Sequence, residues 1–206
     1  MFATFRPAAL SAFSALSLLF GGSALLAPTA AGAAPPVGAA THPTVLLKTS
    51  QGPITLELFP EKAPKTVANF LDYVNHGQYA GTVFHRVIPG FMIQGGGYDA
   101  SLREKPTRAP IPLEARAGLS NVVGAVSMAR TGDPDSATAQ FFINTADNRN
   151  LDYPRPDGNG YAVFGRVTAG MDVVRKIEGV ATGSSDGMSD VPRTPIVIES
   201  ATVVKQ

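Results

Sequence analysis

Residues 84–94 read FHRVIPGFMIQ, two strand-like halves on either side of a Pro-Gly turn. In a strand, successive side chains point to opposite faces. That alternation predicts Phe84 and Arg86 on one face of the first half, with His85 and Val87 on the other. The stretch therefore predicts a hairpin that presents an arginine among apolar neighbours.

Two interpretations of Arg86 remain open from this stretch alone. The arginine either reaches solvent over an apolar surface or acts as a cationic donor above an apolar groove, with the Gln94 amide beside it. For Arg86 and Gln94 to lie opposite each other, the turn must hold one residue more than the two-residue form, in which Gln94 would oppose His85. The sequence does not decide between these two registers.

Short runs of β-branched and aromatic residues recur on both sides of this hairpin, between turn signals. They lie at 44–48, 54–59, 82–87, 91–94, 122–128, 140–144, 162–167 and 196–204. About eight such strands in one domain are typical of a barrel or a sandwich. The irregular region 98–121 is predicted to be a surface loop.

Two segments carry the helical spacing of apolar residues. The first begins at Ala63, with Pro64 in its opening turn and Gly77 at its stop. The second runs from Met171 to Ile177. Two helices cannot supply the crossover connections of a parallel sheet, so the sheet should be mostly antiparallel, with the helices packed over its open ends.

The composition narrows the class of protein. The 206 residues include 17 Lys and Arg against 16 Asp and Glu, a net charge of +1, and 44% are hydrophobic. That balance predicts one globular domain, and it argues against nucleic acid as a partner because binding phosphates requires a clear basic excess. The sequence has no cysteine, which excludes disulfides, iron–sulfur clusters and thiolate nucleophiles.

The N-terminal stretch has the three parts of a secretory signal peptide. Residues 1–33 contain one basic residue, Arg6, followed by an apolar run and an Ala-Gly-Ala end. The alternative is an uncleaved membrane anchor, although serines and glycines dilute the apolar run. We expect cleavage after Ala33, a flexible lead-in at 34–42 and a domain at 43–206. The mature protein should be periplasmic, or secreted beyond the periplasm, and it should be monomeric, with no stable membrane association.

Three weaker motifs have simpler explanations. Residues 183–187, GSSDG, match the G-x-S-x-G pattern of serine hydrolases, but a helix precedes them and every histidine lies upstream. We interpret them as a Gly/Ser-rich loop. The three glycines at 95–97 are interpreted as a bulge or a close backbone approach rather than a phosphate cradle. The three histidines lack metal-ligand spacing, so neither a metal nor a cofactor is expected.

A second cluster, at 126–130 and 140–143, is spaced for a further hairpin that would close the groove. Within it, Phe141 and Ile143 fit ordinary core packing. Gln140 and Arg130 need partners if they are buried, because an unpaired polar group costs roughly 1–3 kcal/mol.

With these segments in view, the sequence resembles the cyclophilin-type peptidyl-prolyl cis–trans isomerases, and most of all their exported bacterial branch. The matching stretches are FHRVIPGFMIQGGG at 84–97, PKTVANFLDYV at 64–74, VSMAR with ATAQFFINTADN within 126–148, and YAVFGRVTAGMDVVRKI at 161–177. They cover nearly the whole chain after the leader. The resemblance implies a closed eight-stranded antiparallel barrel capped by two helices, with the active groove on its outer surface.

The resemblance also implies roles for particular residues. Arg86 is the catalytic cation, Gln94 is its hydrogen-bonding neighbour, and Phe91 completes the catalytic group. The resemblance places four residues in the pocket for the proline ring: Phe91, Met92, Phe142 and Leu151. It places five more in the adjoining peptide groove: His85, Ala129, Arg130, Gln140 and Tyr161. Asn150, Arg130 and Tyr161 depart from the common family residues Trp, Asn and His, which implies altered substrate preference and weak binding of cyclosporin.

The expected activity follows from the same resemblance. The protein should accelerate rotation of X-Pro bonds in proline-containing segments of unfolded or folding exported proteins, without covalent chemistry. The alternative is a periplasmic chaperone that binds such segments and isomerises them only incidentally.

Overall fold

A computed structural model describes residues 42–205 of the protein. The predicted signal peptide at 1–33 lies outside the described residues, and of the predicted lead-in only His42 is described. Its Nδ1 lies 3.2 Å from Glu57 Oε1, and its Nε2 lies 3.3 Å from Glu61 Oε2. His42 therefore contacts the folded domain.

The described chain contains eleven strands, two α-helices and one 3₁₀ turn. In chain order they are β1 (Thr44–Thr49), β2 (Gly52–Leu58), α1 (Pro64–Asn75), β3 (Thr82–Val83), β4 (Arg86–Ile88), β5 (Met92–Gly95), β6 (Ala125–Met128), β7 (Phe141–Asn144), the 3₁₀ turn (Arg149–Leu151), β8 (Val163–Ala169), α2 (Met171–Glu178), β9 (Thr182–Ser185), β10 (Met188–Pro192) and β11 (Val197–Lys205).

Nine of the strands form one antiparallel sheet, in the order β3-β11-β1-β2-β8-β6-β7-β5-β4. The sheet curls into an open half-barrel, while β9 and β10 pair in a separate hairpin. α1 packs against β11 and α2 packs against β2. The prediction of a mainly β, antiparallel fold with two helices is confirmed.

The closed eight-stranded barrel is wrong, and one segment explains both the strand number and the open edges. The run predicted at 82–87 is two strands, β3 and β4, which stand at opposite ends of the strand order. Between them, Phe84 donates its N–H to the Ile196 carbonyl at 3.0 Å. The chain thus passes from one sheet edge to the other, so the two edges are connected covalently rather than by strand pairing.

The predicted sharing of a face by Phe84 and Arg86 is also wrong. Phe84 is buried in the main core together with Val87, whereas Arg86 is only half-buried. Strand alternation fails here because Phe84 and His85 form the irregular link between β3 and β4. The period of two applies only within a continuous strand.

Both predicted helices are confirmed. α1 begins at Pro64, whose missing N–H needs no partner in the first turn, and it buries Val67, Phe70 and Val74 on its inner side. Gly77 follows its end in the left-handed region, with φ of 67°, and donates its N–H to the Val74 carbonyl at 3.1 Å. The second helical pattern corresponds to α2.

The β9–β10 hairpin stands where a Gly/Ser-rich loop is predicted at 183–187. Its two-residue turn is Asp186-Gly187, and φ is positive at both residues, 48° and 76°. An Asp-Gly pair is a strong hairpin signal because a type I′ turn requires positive φ at both positions. The loop interpretation is therefore wrong, and the sequence contained the signal that corrects it.

Close backbone approach explains the glycine triplet, as predicted. A Cβ built on Gly96 would lie 2.8 Å from the Tyr79 ring, and one on Gly97 would lie 2.5 Å from Gln140 Cγ. Side chains at these positions would displace core and groove residues.

Residues 98–121 form irregular chain with isolated bridges, as predicted for a loop. No helix among residues 42–205 has the length and apolar character needed to cross a membrane.

Candidate active site

An apolar pocket of ≈ 260 Å³ opens on the outer face of the sheet, beside β4 and β5. It contains every predicted site residue except His85 and Gln140. Its lining consists of Arg86, Phe91, Met92, Gln94, Ala129, Arg130, Phe142, Leu151 and Tyr161. The fold therefore brings together residues that are up to 75 positions apart in the sequence.

The register of the β4–β5 hairpin places Arg86 directly opposite Gln94. Ile88 pairs with Met92, so the turn between them holds three residues, and the Phe91 N–H donates to the Ile88 carbonyl at 3.1 Å. This is the longer of the two turns that the sequence leaves open. It sets both polar side chains at the edge of the same pocket.

The floor of the apolar pocket is a small cluster that is separate from the main core. Met92, Phe142 and Leu151 are buried there, with Phe91, Ala129 and Tyr161 packed against them. Along β7, Phe142 faces this cluster while its neighbours Phe141 and Ile143 are fully buried in the main core. A slot of this kind can hold a small apolar ring next to the Arg86 cation.

Arg86 and Gln94 have different polar partners from those expected. Nε of Arg86 lies 3.7 Å from Asp190 Oδ2, and the Gln94 amide donates to Gln140 Oε1 at 3.0 Å. The hydrogen bonds of the described residues include none between Arg86 and Gln94. Gln94 therefore borders Arg86 without orienting it directly.

A second pocket, the polar pocket, lies on the other side of Arg86 and also measures ≈ 260 Å³. It contains the two remaining predicted residues. Its lining consists of His85, Arg86, Gln94, Tyr98, Gln140, Met188, Ser189 and Asp190. Since Arg86 and Gln94 line both pockets, they form the boundary between them.

His85 lines the polar pocket as a largely buried histidine. It is 5% exposed, its ring centroid lies 4.6 Å from that of Tyr98, and its Nδ1 has no hydrogen-bond partner among residues 42–205. Burial lowers the pKa of His85 to about 4, and the neighbouring Arg86 charge acts in the same direction. The imidazole is therefore neutral near pH 7.

Arg130 is buried but fully engaged. Its Nε donates to the Gly160 carbonyl at 2.9 Å, and its Nη2 donates to both carboxylate oxygens of Asp157, at 2.9 and 2.7 Å. These bonds lower the pKa of Asp157. The guanidinium also lies 4.4 Å from the centroid of the Tyr161 ring. Arg130 thus braces one wall of the apolar pocket, with its N–H groups engaged by protein acceptors.

A buried polar network behind the pocket was not predicted. Asn148 Nδ2 donates to the Phe91 carbonyl at 2.8 Å and to Asn144 Oδ1 at 2.8 Å. Asn121 Oδ1 accepts hydrogen bonds from Ser127 Oγ at 2.7 Å and from Asn144 Nδ2 at 3.3 Å. The sequence offers a partial signal, because Ser127 and Asn144 are polar residues in otherwise apolar strands, whereas Asn121 and Asn148 lie outside the strands. The network fixes the backbone of Phe91.

Helix α2 holds the β4–β5 turn, which carries Phe91, from the other side. Glu178 Oε1 accepts the Gly90 N–H at 2.7 Å, and Glu178 Oε2 accepts a bond from Arg175 Nη1 at 2.8 Å. Burial acts to raise the pKa of Glu178, but the Arg175 hydrogen bond and the other donors outweigh it and leave the pKa lowered. The turn that carries Phe91 is therefore anchored from two directions.

Among residues 42–205 there is no group of three or more His, Asp or Glu side chains arranged to hold a metal ion.

The model of the family "Cyclophilin type peptidyl-prolyl cis-trans isomerase/CLD" matches residues 44–203. The chain therefore belongs to the cyclophilin-type isomerases. It is a peptidyl-prolyl cis–trans isomerase, an enzyme that interconverts the two isomers of X-Pro bonds.

Relatives and solved structures agree with this assignment. Peptidyl-prolyl cis-trans isomerase cyp18 of Streptomyces antibioticus is 60% identical over 163 residues, which cover 78% of this chain and 98% of that protein. Peptidyl-prolyl cis-trans isomerase B of Escherichia coli K12 is 53% identical over 161 residues, covering 77% and 98%. A crystal structure of a Cryptosporidium parvum cyclophilin in the presence of the dipeptide Ala-Pro has a TM-score of 0.63 and 27% identity, covering 79% and 99%.

Proposed function

We propose that Arg86 accelerates X-Pro rotation by donating a hydrogen bond to the prolyl nitrogen while the apolar pocket holds the proline ring. The observation that carries this proposal is that Arg86, whose guanidinium makes no hydrogen bond within residues 42–205, lines the same pocket as an apolar slot. Phe91, Met92, Phe142 and Leu151 are the proposed contacts of the ring.

The origin of the rotational barrier explains why a hydrogen bond to the prolyl nitrogen accelerates the reaction. An X-Pro amide resists rotation by ~18–20 kcal/mol because the nitrogen lone pair is delocalised into the carbonyl. A donor that localises this pair on nitrogen binds the twisted transition state more tightly than the planar ground state. The guanidinium of Arg86 suits this role because its charge is permanent and its N–H groups have a fixed geometry.

Positioning must supply the rest of the acceleration. A charge-assisted hydrogen bond contributes about 1.5–3 kcal/mol, which corresponds to one or two factors of ten at ~1.4 kcal/mol each. The buried floor of the pocket and the doubly anchored Phe91 turn keep the slot in one shape. A pre-formed slot of this kind fixes the ring relative to Arg86.

The proposed substrates are proline-containing segments of unfolded or folding proteins. The Cryptosporidium parvum relative crystallised with Ala-Pro supports this choice, as does a slot lined mainly by apolar side chains. No charge transfer or covalent intermediate is required, since the reaction only rotates a bond.

We expect an X-Pro peptide to perturb the NMR signals of the apolar pocket. The backbone amides of Phe91 and Leu151 should shift on titration, because a ring in the slot lies against both side chains. The amide of Gly118, in a separate surface pocket of ≈ 240 Å³, should not respond. Exchange spectroscopy on the same sample should show faster cis–trans exchange of the peptide. Shifts confined to the Gly118 region would contradict the proposed site.

We also propose that the protein is exported and acts on clients outside the cytoplasm, after removal of residues 1–33. Support comes from the basic, apolar and small-residue parts of that stretch. Mass analysis of the protein from its native host should give an N-terminus at Ala34, in the periplasmic fraction. Replacing Ala33 by a bulky residue, Ala33→Phe, should accumulate the precursor, whereas Ala40→Phe should not. A protein that keeps residues 1–33 in the cytoplasmic fraction would contradict export.

A further inference from the structure

The β9–β10 hairpin contains a local irregularity next to the active site. Met188 pairs with Ser185, but Val191 pairs with Gly183, so β10 holds one residue more than its partner strand between these pairs. Within this bulge Asp190 has a φ of 62°, in the left-handed region. β10 lies against β4, the strand that begins with Arg86.

A bulge of this kind changes the direction of a side chain. The extra residue interrupts the ladder and bends the strand, which re-aims the side chains beside it. The left-handed conformation is unfavourable for most residues with a Cβ, although aspartate and asparagine tolerate it better than the others. At this position it accompanies a specific contact, because Oδ2 of Asp190 lies 3.7 Å from Arg86 Nε.

The contact between Asp190 and Arg86 contributes little to the stability of the fold. The side chains of Arg86 and Asp190 are 43% and 39% exposed, and an ion pair between such exposed groups contributes little to stability. Among residues 42–205 no other ion pair and no hydrogen bond engages the guanidinium of Arg86. Its terminal nitrogens therefore have no competing protein partner in the described chain.

We propose that Asp190 is a positioning residue for catalysis: its carboxylate engages the Nε side of Arg86 and thereby keeps the terminal nitrogens of the guanidinium available to substrate in the apolar pocket. This inference rests on the proposed role of Arg86. A long arginine side chain at a half-exposed site has many rotamers, and a carboxylate on one edge favours a subset of them. The bulge is the device that delivers that carboxylate to a strand about 100 residues earlier in the chain.

The test compares Asp190→Asn with Asp186→Asn in steady-state isomerisation of an X-Pro peptide. Asparagine tolerates the left-handed region, so both variants keep the hairpin backbone and remove one negative charge. Asp186 is the matched control because it also has positive φ and lies in the same hairpin, at the exposed turn. We expect Asp190→Asn to lower kcat by roughly 3- to 10-fold with little change in KM. A tenfold loss corresponds to an increase of about 1.4 kcal/mol in the activation free energy, which is the cost of a less well oriented Arg86. Asp186→Asn should match the wild type.

A double-mutant cycle separates positioning from a structural effect. In an Arg86→Ala background, Asp190→Asn should cause no further loss, because the group that it orients is gone. A loss that persists in that background would identify a structural role and overturn the inference. An Asp190→Asn variant with unchanged or higher kcat, beside an impaired Arg86→Ala, would overturn the inference while leaving the role of Arg86 intact. Wild-type activity in Arg86→Ala would overturn both proposals.

Discussion

Replacing Arg86 by alanine should lower kcat/KM for X-Pro isomerisation by at least roughly 10- to 100-fold and leave the fold intact. The loss corresponds to the charge-assisted hydrogen bond of about 1.5–3 kcal/mol that the variant cannot make in the transition state. The fold should survive because the Arg86 side chain is 43% exposed and its contact with Asp190 lies at the surface. Arg86→Lys should recover only part of the activity, since an ammonium lacks the fixed fork of the guanidinium.

The measurement is a protease-free assay of cis–trans exchange on an X-Pro peptide, with far-UV circular dichroism as the check on folding. Arg166→Ala is the matched control, because Arg166 is also an exposed strand arginine with one carboxylate partner, Glu57, at 2.7 Å. It lies outside both pockets and should retain wild-type turnover. Near-normal exchange with Arg86→Ala would remove Arg86 from the mechanism.

The same variant separates catalysis from simple holding of unfolded chains. A chaperone that only binds proline-containing segments depends on the apolar pocket, which Arg86→Ala leaves in place. Suppression of aggregation should therefore survive in the variant, whereas acceleration of exchange should not. Equal loss of both would indicate that Arg86 contributes to binding rather than to the rotation step.

The parts of the fold that the sequence predicts are those fixed by local patterns. Helical spacing with Pro64 at the start and Gly77 after the end located α1, and β-branched runs located most strands. The closed barrel failed for a tertiary reason: whether the run at 82–87 continues as one strand or crosses between two sheet edges depends on which strands flank it. Period-two reasoning cannot detect that break, and it therefore misplaced Phe84.

In the candidate site, too, local sequence patterns predict some residues, while others depend on the tertiary fold. The residues of the β4–β5 hairpin could be found from one stretch, because the cation and the apolar groups lie within eleven positions of each other in residues 84–94. Asp190 could not, since nothing near it in sequence connects it with Arg86. The sequence predicts that a buried Arg130 needs partners, but the partners themselves, Gly160 and Asp157, follow from a loop conformation that only the fold determines.

The stability of the protein should fall by about 3 kcal/mol as the pH decreases from about 6.5 to about 4, through the titration of His85 alone. Burial lowers the pKa of His85 from 6.5 to about 4 in the folded protein. Between these two values the unfolded chain binds a proton that the folded chain does not, so the free energy of unfolding decreases as the pH falls. Above about pH 6.5 the imidazole is neutral in both states, and the contribution is fully present. The lowered pKa values of Glu57 and Glu178 make stability depend on pH only near or below pH 4.5. His85 therefore dominates the change in the free energy of unfolding between pH 6.5 and 5.

Urea unfolding followed by circular dichroism at several pH values between 7 and 5 measures this slope. In His85→Phe the decrease over that window, about 2 kcal/mol in the wild type, should largely vanish, because phenylalanine keeps an aromatic contact with Tyr98 and cannot bind a proton. Isomerase activity should vary little between about pH 6 and 8, since no step of the proposed mechanism moves a proton. A wild-type slope in His85→Phe would show that the pKa of His85 is the same in the folded and the unfolded protein. A bell-shaped activity profile would instead make His85 a participant in the reaction.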